Sequence, residues 1–144
     1  MSSEQLLKFQ QFFHVNGHDV METLDKLDDA QFDGLPIGAV LLDSRARIIR
    51  YNRTEGELTN RDPRSVVGSN FFLDLAVCGV SEHFQGRFKE AARAMSYDQI
   101  FPYVFFHRMP ETSMLVRITK PRVTMIEPHV WVLVRRVMAP VPAH

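Results

Sequence analysis

The spacing of apolar positions changes along the chain, and each change marks an element. In MSSEQLLKFQQFF the residues Leu6, Phe9, Phe12 and Phe13 fall on one helical side behind a Ser2 to Gln5 capping box, which predicts a short first helix. Asn16 and Gly17 break it, and DVMETLDKLDDAQF resumes the spacing with a stripe of Val20, Leu24 and Leu27. Residues 1–33 therefore read as a helical cap that packs on the core. The pattern then turns short and continuous: LPIGAVLLD, the turn DSRA and RIIRYN predict an antiparallel hairpin.

Residues 53–60 are polar with helical spacing, and DPRSVVG places Asp62 as a helix cap, Pro63 at the first helical position and Gly68 as a stop. NFFLDLA predicts one more short helical turn. SEHFQGRFKEAARAM carries Phe84, Phe88, Ala91, Ala92 and Met95 on one side and is the clearest helix, expected from Ser81 onward. Beyond it, IFPYVFFHRM, SMLVRITK and HVWVLVRRV are strand-like, with a turn around Pro110 and a second break over 122–128. The sum is an α+β fold: one antiparallel sheet of five strands with helical connections and an N-terminal helical cap. The expected division is a cap over 1–33, a core over 34–137 and a short proline-marked tail over 138–144.

Composition narrows the choice of function more than the choice of fold. A chain of 144 residues, 45% hydrophobic, suits a single domain. Seventeen basic and seventeen acidic residues cancel, which speaks against a nucleic-acid surface. A lone cysteine excludes an intrachain disulfide framework. No signal pattern or membrane-length apolar run is visible, so a cytoplasmic protein without membrane insertion is expected. The histidines make no ligand spacing, so no metal is expected, and no nucleophile elbow or phosphate loop occurs.

Candidate chemistry concentrates between Tyr51 and Cys78. Tyr51, Glu55 and Thr59 recur at intervals of four, so a helical turn after a strand presents their oxygens to one side. Arg61 adds a charge that needs a partner or a lid position. Taken singly, each has an ordinary alternative: Cys78 as an inert buried thiol, Glu55 as a solvated helix residue, Tyr51 as a half-buried aromatic, Thr59 as a cap, Arg61 as a surface ion-pair member and Phe71, Phe105 and Met109 as core or loop residues.

The run YNRTEGELTNRDPRSVVGSNFFLDLAVC, with EHFQGRFKEAA and the closing WVLVRRV, resembles the photoactive yellow protein family, a branch of the PAS superfamily of sensory domains with five-stranded sheets. The resemblance implies a PAS fold and a blue-light receptor, not an enzyme, carrying p-coumaric acid (4-hydroxycinnamic acid) as a thioester on Cys78. It implies that Tyr51 and Glu55 hydrogen-bond to the phenolate oxygen, that Thr59 supports Tyr51 and that Arg61 shields the ring. Phe71 and Phe105 would help enclose the chromophore, and Met109 would assist its return. The implied cycle runs through trans-to-cis isomerisation, proton transfer from Glu55 and loosening of residues 1–33. Its output would pass to an unidentified signalling protein from a monomer or weak dimer.

These residue types suit that chemistry. A thiolate, accessible near neutral pH, forms a thioester under mild conditions. A buried phenolate demands donors, and Glu55 donates only when an apolar pocket and a neighbouring anion keep it protonated. Two departures from the family pattern stand out. Val77 replaces a proline before the cysteine, and His107 replaces a tyrosine, which is expected to make recovery more pH-sensitive. The 120–129 connection is longer than the pattern. The competing expectations are a chromophore-free PAS interaction module and, behind it, a redox role for Cys78.

Overall fold

The computed structural model describes residues 13, 17–76, 82–105, 112–120 and 129–136, with side chains omitted at 17–19 and 21. Two helices come first, α1 (Gly17–Asp25) and α2 (Asp29–Asp33), followed by strands β1 (Gly38–Leu42) and β2 (Ile48–Tyr51). Helices α3 (Arg53–Thr59) and α4 (Pro63–Val66) lead through a π-helical turn (Phe71–Leu75) to α5 (Gln85–Arg93). Strands β3 (Tyr97–Phe105), β4 (Thr112–Lys120) and β5 (Val130–Arg136) complete the order.

The five strands form one sheet in the order β2-β1-β5-β4-β3, and every neighbouring pair is antiparallel. Both faces are covered, which explains why β1 is buried at all five positions and reads as a continuous apolar run. Val40, Leu42, Ile48, Val116, Ile118 and Val132 face a core shared with the π-helical turn and α5. Ala39, Leu41, Trp131 and Leu133 face the opposite way and pack on Val20, Leu24 and Phe32 of the N-terminal helices. The cap predicted from the apolar stripe thus docks on the sheet, Val20 and Leu24 being buried. The expected first helix over 1–13 lies outside the described residues except for Phe13.

Several boundaries differ from expectation, each for a local reason. The 19–32 segment is two helices, because Asp28 and Gln31 form a reciprocal capping box that starts α2 anew. The long helix begins at Gln85, later than the sequence suggests; His83 is held outside it by a 3.0 Å bond between its Nε2 and the Pro102 carbonyl and by stacking on Tyr103. Met95, expected on its apolar face, lies beyond the helix end and is exposed. There Lys120 donates to the carbonyls of Ala91, Ala92 and Ala94, closing α5 with a cation where its dipole is negative. Strand β3 starts at Tyr97, ahead of the apolar run, because Arg117 of β4 clasps Asp98 through two bonds of 2.8 and 2.7 Å.

Candidate functional site

The site grows from the join between β2 and α3. Tyr51 is the last residue of β2, and Asn52 caps α3 by accepting from the Glu55 amide at 2.9 Å. Asn52 is fully buried and its amide group is fully used: it also accepts from Ala39 N at 3.0 Å and donates to the carbonyls of Phe32 at 3.2 Å and Ile37 at 2.9 Å. One side chain therefore ties α2, β1 and α3 together. Asp33 adds a second tie by accepting from the Arg53 amide at 3.0 Å.

One turn of α3 brings Glu55 inward, and a second brings Thr59 beside Tyr51. The Tyr51 hydroxyl and Thr59 Oγ1 are 2.7 Å apart, and Thr59 Oγ1 is 2.8 Å from the Glu55 carbonyl, which can only accept. Thr59 has one hydroxyl proton, so with that proton on the carbonyl it is Tyr51 that donates to Thr59. If Tyr51 turned its proton to an anion in the core, the Thr59 proton would be able to turn to Tyr51. Burial, and then the Glu55 charge, push the Tyr51 phenol above its usual range, opposed by the Thr59 bond and the Arg61 charge.

Glu55 is the anomaly of the core. It is 5% exposed, and its Oε2 is enclosed without a hydrogen-bond partner among the described residues. Burial pushes its carboxyl up to about 7. A buried oxygen left in this condition costs free energy unless something meets it, and a phenolate oxygen inside the core would accept from the protonated acid while Tyr51 donates alongside. The residues present therefore fit a chromophore with an anionic oxygen.

Gly38 makes room for this carboxyl. A Cβ at that position would fall 1.8 Å from Glu55 Oε2. Gly38→Ala must therefore drive the carboxyl elsewhere. The expected result is a shifted carboxylic C=O band of Glu55 in infrared difference spectra across its titration. An accompanying loss of about 1–3 kcal/mol in stability is expected from overpacking. An unmoved band would show that the carboxyl does not rest against Gly38.

The remaining candidates are spread more widely. Arg61, half-buried, comes directly after Asn60, which ends α3 in the left-handed conformation. It lines a surface cavity of about 310 Å³ with Arg53, Gly56, Glu57, Asn60, Asp62 and Pro63. Phe71 and Phe105 are both buried and are bridged by Phe84, whose ring lies 6.0 Å from the first and 5.7 Å from the second. Cys78, Val77, His107 and Met109 lie outside the described residues. Sequence reasoning missed Gly38, Asn52 and the central place of Phe84. Only Asn52 left a signal, as a capping residue three positions before Glu55.

No family model matches the chain. It is, however, 36% identical to the photoactive yellow protein of Halochromatium salexigens over 123 residues, which cover 85% of this chain and 96% of the relative. The photoactive yellow protein of Rhodothalassium salexigens is likewise 36% identical, over 92% of this chain and 99% of the relative. The chain belongs to the photoactive yellow protein family. The photoactive yellow protein domain from the sensor histidine kinase Ppr of Rhodospirillum centenum superposes with a TM-score of 0.73 at 36% identity, covering 79% of this chain and 97% of that domain. A PAS domain of an HTR-like protein from Haloarcula marismortui, 17% identical with a TM-score of 0.56 over 81% of this chain and 99% of that one, shares the fold. Members of the photoactive yellow protein family are signalling photoreceptors, and this chain is a photoreceptor of that type rather than an enzyme. Membership implies a covalently bound chromophore. Among the described residues no helix is long and apolar enough to cross a membrane.

Proposed function

We propose that this chain is a blue-light receptor that carries p-coumaric acid as a thioester on Cys78 and signals by releasing residues 1–33 from the sheet. The supporting observation is the enclosed Oε2 of Glu55, without a partner among the described residues, beside a tyrosine already joined to a threonine. When bound, p-coumaric acid supplies a phenolate and a double bond that light isomerises from trans to cis. Cys78 provides the sulfur, its thiolate displacing the leaving group of an activated acyl donor. Tyr51 and the protonated Glu55 hold the phenolate oxygen by donating to it, Thr59 orients Tyr51, and Arg61 limits access of water from the cavity it lines. Phe71 and Phe105 enclose the ring, and Met109 assists recovery.

Glu55 is the residue that converts absorption into a change of structure. Giving its proton to the phenolate leaves a buried carboxylate whose nearest cation along the helix, Arg53, is already paired with Glu57, a state that costs several kcal/mol. Because Asn52 caps the same turn and also holds the Phe32 carbonyl, loosening of α3 frees α2 and with it the cap. Residues 34–137 then act as the photosensory core.

The test is reconstitution with activated p-coumarate. Wild type is expected to gain the mass of one acyl group and a visible band that bleaches in blue light and recovers in the dark, while Cys78→Ala gains neither. A folded wild type that stays colourless would favour a chromophore-free PAS interaction module.

A further inference from the structure

The sheet face under α1 and α2 is not simply apolar. Its floor is Ala39, Leu41, Trp131 and Leu133, with Ile49 and Leu115 at the margin. Arginines stand around that floor. Arg117 pairs in register with Leu133 and Arg135 with Leu115, which puts both on this face, and Arg50 lies opposite Leu41 at the other edge. Arg117 is engaged by Asp98 of the sheet itself. Arg50 and Arg135 are met by the N-terminal segment instead.

That segment answers the face group by group. Asp29 pairs with Arg50 at 3.1 Å, and Phe32 lies 4.1 Å beneath the same guanidinium. Phe13 lies 5.3 Å from the Arg135 guanidinium. Asp25 accepts from the Trp131 indole N–H at 3.4 Å. Between these contacts Val20 and Leu24 fill the apolar floor. Residues 17–33 hold six acidic residues against one lysine, and the seventeen basic and seventeen acidic residues of the whole chain balance only with this segment included. An acidic, amphipathic helical segment thus sits on a face of apolar centre and arginine rim, through one ion pair, one indole hydrogen bond and two cation–π contacts that are directional as well as attractive.

We infer that this face is a docking site for an acidic amphipathic helix of a signalling partner, and that residues 17–33 occupy it in the resting protein as a built-in substitute for that helix. Such docking rests on the light-driven release of the cap proposed above, since the partner reaches the face only when the segment leaves. The chemistry of the displaced segment specifies the visitor: apolar residues at helical spacing for the floor, carboxylates for Arg50 and the Trp131 N–H, and an aromatic ring to cover an arginine. The apolar stretch between the arginines suits such a helix and leaves a phosphate backbone with nothing to contact there.

The test separates docking from light sensing by loosening the cap without light. Full-length Leu24→Asp and the milder Leu24→Ala, each verified to retain the sheet by circular dichroism, are titrated in the dark and without chromophore. The probe is a fluorescent peptide of sequence 13–33, which includes the Phe13 that meets Arg135, and its control carries lysine in place of the aspartates. Both variants are expected to bind the acidic peptide at least about tenfold more tightly than the lysine peptide, with wild type binding neither. Adding Arg50→Glu and Arg135→Glu is expected to cost about tenfold or more in affinity, and added salt to weaken what remains. Equal affinity for the two peptides, or no binding to either loosened variant, overturns the docking site. A colourless reconstituted protein beside positive peptide binding would instead overturn the light-driven release while leaving the docking site standing.

Discussion

Chromophore-free protein carrying Glu55→Gln is expected to be more stable than wild type by about 3 kcal/mol near pH 8, and equal to it near pH 4. The ordinary pKa of a glutamate is 4.5, and burial raises that of Glu55 to about 7 in the folded chain. Between those values the folded protein still holds a proton that the unfolded chain has released. Stability therefore falls as pH rises through this window and levels off above it. The window spans roughly two and a half pH units at about 1.4 kcal/mol each, which sets the expected size. Glutamine keeps the shape and stays neutral, so it removes this dependence without opening a cavity. Urea denaturation at both pH values, monitored by Trp131 fluorescence, measures it. A gap between the two proteins that is the same at both pH values would show that the Glu55 carboxyl is not the group that titrates.

Phe84→Ala is expected to destabilise the fold by about 3–5 kcal/mol, the range for removing a fully buried large aromatic. Phe84 has no exposed surface, and its ring meets those of Phe71, Phe72, Phe101, Tyr103 and Phe105 at centroid distances between 5.2 and 6.0 Å. Most of these contacts are edge-to-face, an arrangement worth free energy beyond the area buried. Leu73→Ala is the control: Leu73 is 70% exposed, and its loss is expected to cost less than about 0.5 kcal/mol. If Phe84→Ala shifted the urea midpoint no more than Leu73→Ala does, this aromatic cluster would not be what holds α5 to the sheet.

How far the sequence carried depended on the range of the interactions involved. The β1–β2 hairpin, α3, α4 and the apolar stripe of the cap were legible because capping residues, turn chemistry and periodicity act within a few positions. Tyr51, Glu55 and Thr59 were legible for the same reason, being one strand end and two helical turns. What was not legible depends on distant partners. The start of β3 is set by Arg117 nineteen positions from Asp98, and the late start of α5 by a histidine bonded across to β3. Gly38 has no local signature at all, since its role is defined only by the carboxyl that folding places against it. Phe84 reads as one apolar residue among several until the rings around it are in place.

Asn52 has a further consequence. The same amide serves the Glu55 turn and the Phe32 carbonyl of the cap, so the proposed release of the cap on ionisation of Glu55 would make proton binding at one and docking at the other linked functions of a single equilibrium. Linkage of this kind is symmetric. Whatever free energy the ionisation of Glu55 removes from cap docking, a partner that holds the cap away must return as an easier loss of the Glu55 proton. A bound partner would thereby prolong the lit state by opposing return of the proton, so the lifetime of the signal would depend on who is listening as well as on the light.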